Sequence, residues 1–355
     1  MVIQVSMLRA QTEKPVKIGI IGLTHSHVHW IFDDPDRTDI EITGIVEPNK
    51  ELAQRFAKQY GFSMDMVFDT MEQLSENVEV EAVAAFGSIF EHLAVVQFFA
   101  PLGIHVMVEK PLAVSVEHAR EMSTLAKKHG IHLITNYETT WYASNQEAYK
   151  ILHEDKSIGD VRKVVVHDGH EGPKEIGVND EFLDWLTDPV QNGGGAVIDF
   201  GCYGANLLTW LMKGEKPTAV TAVLQQFKPD TYPKVDDEAT IILHYPKTQG
   251  IIQASWNWPF GRKDMEVYGE TGYVIAANNT EIRKRLPGEK AEQTQKIPGR
   301  NSPYDDPFSF FAAVVRDKIS VSDQDLSSLE NNVIVVEILE AAIESAKTGR
   351  TVELD

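Results

Sequence analysis

Between residues 16 and 135 short β-branched apolar runs alternate with stretches in which apolar side chains recur at helical spacing. That alternation predicts βαβ units and a parallel sheet. The strands fall at 16–21, 42–46, 82–85, 105–108 and 132–135, with helices between them such as 50–60 and 116–129. The second of those helices carries Lys127, Lys128 and His129 in its last turn and Gly130 just beyond, as a helix C-terminus favours. After Asn136 the runs lengthen and alternate apolar with polar, at 161–168, 218–227, 238–245, 250–257 and 265–269. Alternation of that kind predicts an antiparallel or mixed sheet with one face buried. Breaks at 246–250 and 269–272 read as hairpins. The chain closes with an apolar helical pattern over 331–348, ended by Gly349. The expectation is an α/β protein: a leader or tail over 1–15, a doubly wound domain over 16–138 and a second α/β domain over 139–355.

A length of 355 residues supports two domains, at roughly 150 residues each. Acidic residues outnumber basic ones by 53 to 33, and a net charge of −20 repels phosphate backbones and anionic membrane surfaces. Nucleic acid and membrane are therefore not expected as partners. No apolar run reaches the roughly 18 residues of a spanning helix. Cys202 is the single cysteine, so no intramolecular disulfide and no cysteine-based zinc site can form, which fits a cytoplasmic protein. The opening MVIQVSMLRAQTEK lacks a basic n-region. Read instead as a shortened secretory signal ending near Ala10-Gln11, it would place the protein in the periplasm or outside the cell.

The turn after the first strand reads Gly22-Leu23-Thr24-His25-Ser26-His27. A dinucleotide-binding turn has the form G-x-G-x-x-G, so that backbone amides meet a pyrophosphate. Only the first glycine is present here. Glu47, at the end of the second strand, stands near the offset expected for an acid that bonds the adenosine ribose, and its charge disfavours a 2′-phosphate. His25 and His27 would point the same way in an extended segment, as paired metal ligands do. His105 and His132, however, lie at strand beginnings, the wrong ends for a shared site in a parallel sheet, and no metal is expected.

Two further motifs carry chemistry. Glu109-Lys110-Pro111 follows the fourth of these strands, at the carboxyl edge where open α/β sheets bind ligands. Downstream, Gly193-Gly194-Gly195 precedes Asp199 and Tyr203, which share a face if the stretch is helical. With the layout, the turn, Glu47, a loop from Gly87 to His92 in place of T-P-N-x-x-H, and the closing pattern over 340–353, these motifs resemble the Gfo/Idh/MocA family of glucose-fructose oxidoreductase and inositol dehydrogenase. Thr24 and His27 replace that family's second and third glycines.

The resemblance implies an N-terminal NAD(P)-binding Rossmann domain, a C-terminal α/β domain with a largely antiparallel open sheet, and a homo-oligomer, dimer or tetramer. It implies NAD, with NADP less favoured, and a sugar, polyol or related cyclic alcohol as substrate. By matching position Lys110, Asp199 and Tyr203 form the catalytic group, with Tyr203 as acid/base. An unperturbed phenol titrates at about pH 10, and a Lys110 cation would lower that value. Gly22, Thr24, His25, Ser26, His27, Glu47, His92, Glu109 and Lys110 are expected around the cofactor, and His170, Glu171, Trp185 and Trp258 around the substrate. Two other activities fit the same scaffold: a glycosidase using transient oxidation by NAD, and a ligand sensor without catalysis.

Overall fold

A computed structural model describes residues 14–354, so the leader expected over 1–15 lies, apart from Lys14 and Pro15, outside the described residues. The first sheet has six strands: β1 (Val16–Ile21), β2 (Ile40–Val46), β3 (Val67–Phe68), β4 (Ala82–Ala85), β5 (His105–Glu109) and β6 (Leu133–Asn136). Their order is β3-β2-β1-β4-β5-β6 and every pairing is parallel. Strand order reverses between β1 and β4, and the crevice beyond their carboxyl ends is where such sheets hold ligands. Gly22, Glu47, Glu109 and Asn136 all stand at that edge. Glu109 and Asn136 are register partners, so their side chains leave the sheet side by side.

The second sheet has nine strands: β7 (Val161–Gly169), β8 (Ala219–Gln225), β9 (Glu238–His244), β10 (Gln249–Ser255), β11 (Arg262–Gly269), β12 (Tyr273–Ala276), β13 (Glu281–Arg285), β14 (Gln293–Lys296) and β15 (Val352–Glu353). Only β7 and β10 pair in parallel; every other neighbour is antiparallel. The hairpins expected at 246–250 and 269–272 join β9 to β10 and β11 to β12. β3, β12, β13, β14 and β15 were not among the expected strands, although the break at 269–272 implied a partner for β11. The first and last have two residues each, and EIRKR and QTQK carry too few apolar side chains to show alternation.

Helix Gly201–Leu211 is buried at every residue, with the sheet on one side and helix Leu329–Thr348 on the other. Gly204 permits the close approach, since a Cβ there would lie 2.4 Å from Ile252. The two units are also tied through the chain's later part. Helix Pro307–Val315 returns to the first unit, where Phe308 and Phe311 join the core of Ile18, Ile20 and Phe86. Asp306 caps that helix and accepts from Arg37 at 2.9 Å.

The glycine run has a packing reason. Asp236 lies across it, its carboxylate accepting from Gly195 N–H at 2.9 Å and Val197 N–H at 2.8 Å, and its carbonyl from Ala196 N–H at 3.1 Å. One distant residue thus satisfies the first donors of the helical turn Ala196–Asp199. A Cβ on Gly195 would sit 1.8 Å from the Asp236 carbonyl oxygen. Helicity breaks at Phe200 before resuming at Gly201, so Asp199 and Tyr203 are not on one continuous helix as expected. Gly195→Ala should lower stability by about 3 kcal/mol, read from the urea denaturation midpoint. An unchanged midpoint would contradict the close approach.

Candidate active site

The cofactor turn keeps its cradle although two glycines are gone. Gly22 has φ +81°, and a Cβ there would lie 2.9 Å from Gly87 N, so this first glycine is obligatory. Glu47 is buried and directed into the turn, Oε2 accepting from Leu23 N–H and Oε1 from Asn49 N–H, each at 2.9 Å. Thr24 and Ser26 N–H groups have no hydrogen-bond acceptor among the described residues. A cavity of about 290 Å³ opens beside the turn, lined by Gly22, Pro48, Thr70, Gly87 and His92 among others. A left-handed glycine, two free amides and a cavity at the carboxyl edge suit the phosphates and adenosine of a dinucleotide. Thr24 Oγ1 does not block it; that hydroxyl accepts from Trp185 Nε1 at 3.0 Å and reaches the Phe86 carbonyl at 3.2 Å. His92 lines the cavity but is fully buried, its Nδ1 3.1 Å from the Leu112 carbonyl oxygen, and burial lowers its pKa to about 4.

His25, His27 and Glu109 converge at the mouth of the turn, their ligand-type atoms within 4.8 Å of one another. His25 Nδ1 accepts from His27 N–H at 3.1 Å, which puts the neutral ring's proton on Nε2, the atom facing Glu109 at 3.9 Å. His27 Nδ1 lies 2.8 Å from Glu109 Oε2, and Glu109 Oε1 accepts from Asn136 Nδ2 at 2.8 Å. The three residues form a hydrogen-bonded chain.

Lys110 joins the domains. Its Nζ forms an ion pair with Asp199 Oδ1 and donates to the Asp199 carbonyl at 3.1 Å, while Trp256 Nε1 donates to Asp199 Oδ2 at 2.9 Å. Burial would push the Asp199 carboxyl up, but the Lys110 cation overrides it and brings the value down to about 2. Tyr203 lies 5.2 Å from Lys110 Nζ, measured to the ring centroid, with Tyr137 edge-on at 5.5 Å. Sequence reasoning missed Lys263. Its Nζ is 4.5 Å from the Tyr203 centroid and pairs with Glu138, whose other oxygen accepts from Tyr142 at 2.6 Å. Asp168 is Lys263's register partner, and burial raises its carboxyl well above the usual range.

The expected depression of the Tyr203 phenol is not found. Burial, with Glu138 and Asp168 adding to it, holds its pKa well above the ordinary value. Lys110 and Lys263 lie against the ring, each already paired with a carboxylate, and do not compensate.

The four residues expected at the substrate separate. His170 packs edge-on against Phe200 at 4.8 Å and interacts electrostatically with Asp199, so it belongs to the cluster. Trp258 lies half-buried over Gly169 with its ring 6.3 Å from that of His167, on the face of β7 opposite Asp168. Glu171 contributes its carbonyl to Lys228 and interacts electrostatically with His170. Trp185 is buried against His25 and Phe182 and bonded to Thr24, so it closes the second domain onto the cofactor turn. No helix among the described residues is long and apolar enough to cross a membrane.

The Lys110–Asp199 pair fixes a pH dependence. A carboxyl whose folded pKa lies below its unfolded value of about 3.9 contributes stability that is present above that value and lost as the pH falls through the folded one. Asp199→Asn should cost about 3 kcal/mol at neutral pH, because Lys110 is left buried without its counter-charge. Its deficit relative to wild type should shrink by roughly 2 kcal/mol between about pH 4 and pH 2 in urea titrations. A deficit independent of pH would refute the pairing.

Comparison with known proteins places this arrangement. Residues 16–137 match the GFO_IDH_MocA oxidoreductase family with its NAD-binding Rossmann fold, and residues 146–275 match the GFO/IDH/MocA C-terminal domain. Trans-1,2-dihydrobenzene-1,2-diol dehydrogenase of Oryctolagus cuniculus is 26% identical over 211 residues, 59% of either chain. The enzyme of the same name from Bos taurus is 27% identical over 231 residues, 64% of either chain. The match thus spans about three fifths of these relatives' length. Among solved structures, aldose-aldose oxidoreductase from Caulobacter crescentus complexed with glycerol superposes with a TM-score of 0.80 at 23% identity, covering 96% of this chain and 100% of that one. An inositol dehydrogenase homolog complexed with NAD+ from Azotobacter vinelandii gives 0.81 at 17% identity, covering 96% and 98%. These two likenesses establish the fold. With both domain types matched in sequence and in the expected order, the chain belongs to the GFO/IDH/MocA family of oxidoreductases and carries its NAD-binding Rossmann domain.

Proposed function

We propose that the protein is an NAD-dependent dehydrogenase of a sugar, polyol or related cyclic alcohol, working at the seam between its two domains. One observation carries the reading: Lys110, at the carboxyl edge beside the Rossmann turn, is joined to Asp199 and lies against Tyr203, both from the second domain. Gly22, Thr24, Ser26 and Glu47 would hold the dinucleotide, which when bound supplies the hydride acceptor or donor. Glu47 at the ribose end favours NAD over NADP by charge. Lys110 holds its proton because Asp199 is ionised beside it, and so offers a fixed positive charge to the reacting oxygen. Tyr203, kept protonated by burial, presents a hydroxyl donor to that oxygen and returns a proton to it in the reductive direction. Asp199 positions Lys110 rather than touching substrate. His170 offers an imidazole for a neutral polyhydroxylated ligand. The names of the relatives and neighbours, a dihydrodiol dehydrogenase and oxidoreductases of aldoses and inositol, support this substrate class. The same reading includes a homo-oligomer, to be checked by native mass spectrometry.

Calorimetric titration should show NAD binding in preference to NADP. NADH should accumulate at 340 nm with at least one of trans-1,2-dihydrobenzene-1,2-diol, myo-inositol, glucose or glycerol. Tyr203→Phe should lower kcat/KM by about 10²-fold or more while NAD affinity holds. Release of an aglycone without net NADH would favour the cycling glycosidase. Tight sugar binding with no NAD affinity would favour the sensor.

A further inference from the structure

Oxidation of an alcohol releases a proton, and most groups around the Lys110 cluster are unable to accept it. Lys110 and Lys263 are ammonium donors, each paired with a carboxylate. Asp199 is committed to Lys110 and Trp256, and Glu138 to Lys263 and Tyr142. The histidines separate by tautomer, which is set by the hydrogen bond each ring already makes. His25 Nδ1 accepts from His27 N–H, and His170 Nδ1 accepts from Gly172 N–H at 2.8 Å. Both neutral rings therefore carry their proton on Nε2 and present a donor. His167 has an acceptor nitrogen, since Nδ1 faces Asp264 at 3.1 Å, but it neighbours Asp168 on β7 and points to the opposite face of the sheet.

His27 is different. Its Nδ1 lies 2.8 Å from Glu109 Oε2, and Glu109 is held from its other oxygen by Asn136. A carboxylate can only accept, so the ring proton is on Nδ1 and the lone pair is on Nε2. The ring is stacked on Trp30 at 3.8 Å and 19°, which fixes its plane. The side chain is 13% exposed, and Nε2 has no hydrogen-bond partner among the described residues. Its charged neighbours come from both walls of the cleft: Lys110 and Glu109 from the first domain, Lys263, Glu138 and Asp199 from the second, with the His25 ring at 4.5 Å.

We infer that the His27–Glu109 dyad is the general base of the cleft: His27 Nε2 takes the proton leaving the substrate hydroxyl, directly or by way of the Tyr203 hydroxyl, while Glu109 steadies the imidazolium that forms. In that step the O–H bond breaks, its electron pair becomes the second carbon–oxygen bond, the carbon–hydrogen pair would leave as hydride to the oxidised nicotinamide dinucleotide of the proposed function, and the N–H bond forms on Nε2. The arrangement follows the logic of an acid–histidine pair, in which the carboxylate fixes tautomer and orientation without being protonated. The third glycine of the turn has thus been exchanged for a reacting group, and Tyr203 acts with it at the substrate oxygen. Burial and the two lysines lower the His27 pKa well below its ordinary value, so the ring is a free base at neutral pH.

This inference rests on the dehydrogenase reading, and its test separates the two. In protein labelled with ¹⁵N-histidine, long-range ¹H–¹⁵N spectra should show one ring, absent from His27→Gln, in the Nδ1–H form at neutral pH, and Glu109→Gln should remove its preference for that form. An Nε2–H ring at His27, or one indifferent to Glu109→Gln, overturns the proposal without any turnover being measured. With a substrate that yields NADH, kcat/KM should fall by about 10²-fold or more in His27→Gln. The acid limb of the wild-type profile, lying below pH 6.5, should also disappear. If His27→Gln weakens NAD affinity but keeps that limb, the residue only supports the cofactor and the proposal fails alone. If the wild type yields no NADH, the redox reading fails and takes this proposal with it.

Discussion

A buried cation facing a buried carboxylate across two domains is the constraint on which this molecule is built. Lys110 stands at the end of one sheet and Asp199 at the end of a helical turn packed on the other, and each is nearly inaccessible to water. Neither charge is tolerable alone in that environment, so either residue displaced from the other costs several kcal/mol. The pair is therefore weak evidence for stability relative to an apolar seam but strong evidence for register. It fixes where the second domain sits on the first. Trp256 bonded to the same carboxylate and Trp185 bonded to Thr24 extend that registration from the Lys110 end of the cleft to the cofactor turn.

Around the pair, charges are arranged in couples rather than spread as a field. Lys110 with Asp199, Lys263 with Glu138 and His27 with Glu109 each combine a proton-bearing group with a carboxylate. Tyr203 lies against the lysines of the first two couples and interacts electrostatically with Glu138 and Asp199. The cleft presents fixed dipoles without carrying a large net charge of its own, although the chain as a whole is strongly acidic.

Much of the fold was legible because its cues are local. β1, β4 and β5 are largely buried on both faces and read as short continuous apolar runs, and helices such as 116–129 have their termini written in Ser115 and Gly130. The site was legible only where it is local too: the turn after β1, the acid after β2, the charged pair after β5 and the glycine run. Lys263 was not, because its place beside Tyr203 depends on β11 pairing with β7, a contact made across a long stretch of chain. Asp236 was invisible for the same reason. It caps a helix from outside that helix, and nothing in its immediate neighbours says so. The weakened acidity of Tyr203 follows likewise: the sign of its shift is decided by burial and by Glu138, not by the lysine that the sequence brought to notice.

The return of helix Pro307–Val315 to the first unit bears on how the chain is made. Phe308 and Phe311 complete a core that Ile18 and Ile20 begin near the start of the described chain. A Rossmann unit emerging from the ribosome therefore has no means of closing that face until nearly all of the second domain has followed it. Its exposed apolar strip must be carried through the synthesis of a nine-stranded sheet whose own pairings are mostly non-local. The finished protein has two domains, but vectorial synthesis meets a single unit of assembly whose keystone arrives close to the end.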